Sequence, residues 1–396
     1  MKILTVDIGT GTQDIFLYDS NLDIENGFKL VLPSPTMMIH RRLKQSLPSR
    51  TPILLTGHQM GGGPSAWAIE EYARAGIPVY MTPDAATTLN DELDKVEALG
   101  IKIISEDEAN SLQSSVNHLE LKDFDFPALS RTFEDYGILL KNLDAIAVAI
   151  FDHGNAPAGV SDRQFRFDYL DQRIREKNSL SSFAHLSTNI PRIMTRLQSV
   201  ADSAGELPCP LVVMDTAPAA VLGATFDPVV AGREHKIVVN IGNFHTIAFR
   251  MSGEKIEGVF EHHTGEIDLP KLEKYIRALA DGSLKHQNVF DDMGHGALML
   301  TREPLGFGTG DFDVVVTGPR RSMFNLESAS LLAKKREQAP SLQNLRPYFA
   351  TPFGDMMIAG CFGLLAATAE VMPNVAEAVY GSLRGGHGRG VAPWDV

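Results

Sequence analysis

Apolar positions along this chain fall in short runs that stop abruptly at an acid or a glycine. The first run ends at Val6-Asp7, Gly9-Thr10-Gly11-Thr12 follows, and Asp14-Ile15-Phe16-Leu17-Tyr18-Asp19 is apolar again. Two strand-like runs about a glycine-rich turn predict a β-hairpin. Residues 28–32 add a third strand and 36–47 read as a helix. From Pro52 the pattern alternates: strand 53–56, helix 66–75, strand 78–81, helix 91–99 stopped by Gly100, strand 101–104. Such alternation predicts a parallel α/β layer. The stretch 106–127 is polar and reads as irregular, and 146–151 is a buried-type strand ending at Asp152-His153-Gly154.

The small-residue, Gly- and Pro-containing segment 201–210 marks a domain boundary. It gives a first domain over 1–205, with an α/β insertion at 52–130, and a second over 206–396. The second opens with strand 211–214 and helix 218–224, and strand Ile237-Val238-Val239-Asn240 then runs into the turn Gly242-Asn243. Arg384-Gly385-Gly386-His387-Gly388-Arg389-Gly390 reads as a mobile tail.

Composition narrows the function classes. A chain of 396 residues exceeds one ordinary core. A net charge of −13 argues against nonspecific nucleic-acid binding, which needs clustered cations. No apolar run is long enough to span a bilayer, and the N-terminal run stops at Asp7, unlike a secretory signal. Two cysteines, Cys209 and Cys361, make neither a disulfide scaffold nor a four-cysteine metal site, and a reducing cytoplasm is the expected compartment.

The chemistry lies in three strand–turn segments. In Asp7-Ile8-Gly9-Thr10-Gly11-Thr12 the glycines let backbone N–H groups approach a phosphate, and Asp7 at the strand end can hold Mg²⁺ through water. Asn240-Ile241-Gly242-Asn243-Phe244-His245-Thr246 repeats the device, so two such turns facing each other can clamp a triphosphate. Val314-Val315-Val316-Thr317-Gly318-Pro319 is a strand and tight turn against which an adenosine can lie.

The order of these pieces resembles the actin, heat-shock chaperone and sugar-kinase superfamily. Asp215-Thr216-Ala217-Pro218-Ala219-Ala220 looks like its first connecting helix, and Asp355 through Ala359-Gly360-Cys361-Phe362-Gly363 looks like its last. The resemblance implies a two-domain actin-like ATPase (ribonuclease H-like) α/β fold. It also implies ATP and Mg²⁺ in the cleft, held by Asp7, Gly9, Thr10, Gly11, Thr12, Asn240, Gly242, Asn243, His245, Thr246, Gly318, Pro319 and Arg320, and close crossing of the two small-residue helices at the hinge. Within the superfamily the chain resembles an uncharacterised group of actin-like ATPases, some labelled pyruvate formate-lyase activating proteins. That label implies radical S-adenosylmethionine chemistry on a three-cysteine cluster, which two cysteines cannot supply.

The chain departs from the family pattern in three places. Gln13-Asp14 stands where a cation often follows the first turn, Asn240 where the second motif usually has Asp, and Pro319 where the adenosine turn has a second glycine. Beyond nucleotide binding, Asp215 is the first candidate to position a water or accept a proton, and it is also a candidate helix N-cap. Asp152, after a strand end, is the alternative base. His58, Gln59, His153, Asp162, His262 and His263 are substrate-side candidates. Glu261, His262, His263, His286, Asp291, Asp292 and His295 could form a metal or substrate site, although their spacing matches no compact zinc pattern. The expected activity is phosphoryl transfer from ATP to a small hydroxylated metabolite. An ATPase switch acting on a protein partner, or a degenerate nucleotide binder, is the alternative. No nucleic-acid or membrane partner is expected, and a homodimer remains open.

Overall fold

In the computed structural model, residues 1–308, 310–324, 345–385 and 391–395 are described. Of the predicted tail, 386–390 lies outside the described residues.

Two six-stranded sheets share one plan. In the first, Lys2–Ile8 pairs antiparallel with Thr12–Asp19, which pairs antiparallel with Phe28–Pro33. On its other side Lys2–Ile8 runs parallel to Ala145–Ile150, and that strand runs parallel to Leu211–Asp215. The short strand Ala184–Leu186 closes the edge. In the second, His235–Ile241, His245–Ser252 and Lys255–His263 form the antiparallel meander, extended by Gly296–Met299. His235–Ile241 runs parallel to Val314–Thr317, which runs parallel to Pro347–Phe349. This duplicated arrangement is the actin-like fold that the resemblance implied. The central strands are apolar end to end because both faces are covered: every residue of Ala145–Ile150 is fully buried.

The strand Leu211–Asp215, expected to open the second half, instead belongs to the first sheet, so the first domain extends past residue 205. A buried parallel strand carries no sequence mark of which sheet it joins. The insertion is a separate four-stranded parallel sheet, ordered Lys102–Ile103, Val79–Met81, Ile53–Gly57, Asn117–Leu121, with its own core. The segment expected to be irregular therefore contains the helix Glu106–Leu112 and the strand Asn117–Leu121. A capping box nucleates that helix: Ser105 accepts from the Glu108 N–H while the Glu108 carboxylate accepts from Ser105.

The helices Thr216–Ala224 and Ala359–Val371 cross backbone to backbone between the two sheets. A Cβ on Gly223 would sit 1.7 Å from the Ala359 carbonyl oxygen, and one on Gly363 would sit 1.9 Å from that of Ala219. Glycine at these positions is what permits the crossing the small residues predicted. Among the described residues, no helix is long and apolar enough to cross a membrane.

Candidate active site

The two predicted turns are built identically. The Gly9 N–H donates to the Thr12 carbonyl at 2.9 Å, and the Gly242 N–H donates to the His245 carbonyl at 2.9 Å. Their tips face each other: a Cβ on Gly11 would lie 3.1 Å from Asn243 Nδ2. Between them and the insertion lies a cleft of about 1000 Å³, lined at one end by Asp7, Thr10, Thr12, Asn240, Gly318 and Gly360. Gly318 has φ +97°, and a Cβ there would meet Asn240 Oδ1 at 2.4 Å, so glycine is required beside the second turn.

Asp7 and Asp14 both line the cleft and are each 8% exposed. Asp7 Oδ1 accepts from Thr216 Oγ1 at 2.5 Å. Burial pushes Asp7 up to about 7 despite that bond, with Asp215 adding to the rise. Burial, then the neighbouring Asp7, pushes Asp14 up to about 8. Asp14 Oδ1 has no hydrogen-bond partner. An orphaned carboxylate oxygen beside a second acid, under glycine-only backbone, is a donor set that suits a hydrated Mg²⁺.

Asp215 stands behind this wall. Its Oδ1 caps the helix Thr216–Ala224 through the Ala217 N–H at 2.9 Å, and its Oδ2 is ion-paired with Arg166. Burial pushes Asp215 up to about 6 against the pull of Arg166. Arg166, on the helix Asp162–Glu176, is fully buried and also grips Glu261 at 3.1 and 3.2 Å and the Asp152 carbonyl at 3.0 Å. Asp215 does not line the cleft. Asp152 does, but its carboxylate is committed to the N–H groups of Gly154 and Leu197, both at 2.8 Å. The carboxylates of both acids picked as bases are thus committed to the framework.

The remaining candidates divide. Gln59, His153 and Asp162 line the cleft with Asp91, which accepts from Gln59 Nε2 at 3.3 Å. Burial raises Asp91, and the charges of Asp162 and Asp152 add to the rise. His58 lies off the cleft. Thr246 is buried against the Thr264 hydroxyl at 2.9 Å, and Arg320 is exposed outside the cleft, although its N–H reaches the Ile241 carbonyl at 3.0 Å. His262 is fully buried, with its ring nitrogens 3.0 Å from the His263 carbonyl and 2.9 Å from that of Asp292. His245 lines the cleft, stacked on Phe151 at 3.9 Å. Among the described lining residues the lysine and arginine cations are Lys95, 2.6 Å from Glu92, and Arg196, bidentate to Asp123 at 2.7 and 3.0 Å.

Sequence reasoning passed over Asp91, Arg166 and the role of Asp14. Arg166 sits in a charged helix that reads as solvent-facing. Asp14 registered only as a missing cation, although its place opposite Asp7 across a hairpin could have been counted from the turn.

A family model described as "Putative pyruvate format-lyase activating enzyme (DUF1786)" matches residues 60–323. No curated protein matches the chain. Solved structures similar to it include a ROK hexokinase from Thermus thermophilus, at 15% identity, 94% of this chain and 100% of that one, with a TM-score of 0.32. A second is an activator of 2-hydroxyisocaproyl-CoA dehydratase from Clostridium difficile with bound ADPNP, at 9% identity, 95% and 98% coverage, and a TM-score of 0.34. A third is a ROK family glucokinase from Streptomyces griseus with glucose and AMPPNP, at 11% identity, 92% and 98% coverage, and a TM-score of 0.31. At these scores the likenesses carry no weight for substrate or partner.

Proposed function

This chain belongs to the DUF1786 family, and we propose that it binds Mg-ATP between its two glycine turns and transfers the terminal phosphoryl group to a small hydroxylated metabolite in the same cleft. The observation that carries this reading is the pair of identically closed turns meeting over two buried acids, one with an orphaned oxygen. The N–H groups of Gly9 and Gly242 close the turns, and those of Thr10, Gly11, Thr12 and Asn243 would cradle phosphate oxygens. Gly318 and Pro319 would lie along the nucleoside. Asp7 and Asp14 would hold Mg²⁺, with Asn240 as a neutral neighbour. When bound, the ion supplies charge neutralisation on the phosphates.

The acceptor side is polar and acidic, with Gln59, Asp91, His153 and Asp162 on it. Asp91 is the candidate base for the acceptor hydroxyl, because among the described residues its carboxylate carries one hydrogen bond, from Gln59. The two hinge helices offer the close crossing about which the domains could shut and exclude water.

The activity named in the family's description is not part of the proposal. Radical S-adenosylmethionine chemistry needs three clustered cysteines. Here Cys361 is buried with its thiol 3.1 Å from the Asp14 carbonyl, and Cys209 is half-buried, with burial pushing its thiol up to about 11.

The test is phosphate transfer by nucleotide-free protein given ATP, Mg²⁺ and fractions of a small-metabolite extract. One fraction should stimulate turnover, and Asp91→Asn should remove that stimulation while ATP still binds. ATP hydrolysis stimulated only by a protein fraction would replace the kinase reading with a partner-driven switch.

A further inference from the structure

The strand register of the second sheet gathers three histidines at one end. His245 and His263 are direct cross-strand partners, and His295 precedes the next strand, its N–H donating to the Glu261 carbonyl at 2.9 Å. One ring nitrogen from each of the three lies within 4.8 Å of the others. Ring centroids are 5.1 Å apart for His245 and His263, 5.0 Å for His245 and His295, and 4.7 Å for His263 and His295.

We propose that His245, His263 and His295 form a binding site for one divalent first-row transition-metal ion of the Zn²⁺ class, separate from the Mg²⁺ site and open toward the cleft. Four observations carry this. His295 is 3% exposed and neither of its ring nitrogens has a hydrogen-bond partner, a costly arrangement that an ion on Nε2 would relieve. Its Nδ1 lies 3.0 Å from the Glu261 carboxylate, which Arg166 holds bidentately. A carboxylate behind a ligating imidazole is the usual device for fixing its orientation and basicity.

The charges also suit a cation. Arg166 faces two carboxylates, Asp215 and Glu261, so this buried group carries one excess negative charge beside the imidazoles. Finally, the geometry is near closure. Tetrahedral ligands at zinc–nitrogen distances of 2.0–2.1 Å lie about 3.4 Å apart, so modest ring rotation would bring the three nitrogens together. Three imidazoles, with no cysteine in the set, favour zinc, nickel, cobalt or iron over magnesium or calcium. The coordination position left free would face the cleft from beside His245, which lines it. A water or a substrate oxygen would occupy it.

Full-length protein stripped with a chelator and titrated with Co²⁺ tests the site. The expected result is one ion per chain, with visible d–d absorption of an imidazole-bound ion, displaced by Zn²⁺ and not by excess Mg²⁺. His263→Ala should abolish the absorption, while His286→Ala, a nearby histidine outside the triad, should keep it. Metal-free melting of His263→Ala should match that of metal-free wild type. Wild-type protein that binds no Co²⁺, or absorption unchanged in His263→Ala, would overturn the proposal.

Discussion

Asp7 and Asp14 are exact cross-strand partners in the first hairpin, so their carboxyl groups leave the same face of the sheet and enter the cleft together. Burial makes each hold its proton longer than an ordinary carboxyl, with the charge of Asp215 adding to the rise at Asp7 and that of Asp7 adding to it at Asp14. A shared cation removes that penalty.

The first prediction is a pH dependence. The unfolded chain ionises these acids near 3.8, whereas the folded chain keeps their protons to about 7 and about 8. The folded state thus binds more protons across this range, and metal-free stability falls as pH rises through it, levelling off above about 8. His153, His185, His245 and His263 have lowered values and act with the opposite sign, an effect that fades as pH rises past 6.5. Between about pH 7 and about pH 8 the carboxylates set the slope. Melting curves in chelator should show Tm falling across that window, with Mg-ATP stabilisation growing as pH rises.

The second concerns the hinge. Gly223→Ala forces a methyl against the Ala359 carbonyl, where the distance would be 1.7 Å. Because the obstacle is backbone, the two helices must separate, at a cost of about 1–3 kcal/mol or more. Denaturant melting should show that loss, whereas Gly381→Ala, with nothing near its would-be Cβ, should not.

The third concerns buried Arg166 and its two acids, Asp215 and Glu261. Arg166→Met leaves Asp215 and Glu261 facing each other without a counter-charge, which costs about 3–5 kcal/mol. If enough folded protein remains, its nucleotide affinity should also fall, since Asp215 caps the helix that carries Thr216 against Asp7. Equilibrium unfolding checks the first effect and calorimetric titration the second.

Local features were legible in the chain. The two glycine turns, the small-residue crossing helices and the N-cap at Asp215 are each written within a few consecutive residues. Sites assembled by register were not. His245 and His263 meet because the strands pair over a turn at Gly253, and His295 joins them from beyond a helix. The strand Leu211–Asp215 was assigned to the wrong sheet because its apolar run would suit any central position. Arg166 was missed because a helix as charged as Asp162–Glu176 gives no hint that one of its arginines is fully buried. The helix within 106–127 differs, since its Ser105–Glu108 capping box is written in the sequence although the polar composition around it reads as irregular.

The most direct test of the account is calorimetric titration of ATP into nucleotide-free protein, with Mg²⁺ and with chelator, for wild type and Asp14→Asn. The account predicts binding in wild type that weakens at least about tenfold without Mg²⁺, a difference of roughly 1.4 kcal/mol. In Asp14→Asn that Mg²⁺ dependence should largely disappear while the protein stays folded. Equal ATP affinity with and without Mg²⁺ in wild type, or an unaltered Mg²⁺ dependence in Asp14→Asn, would contradict it.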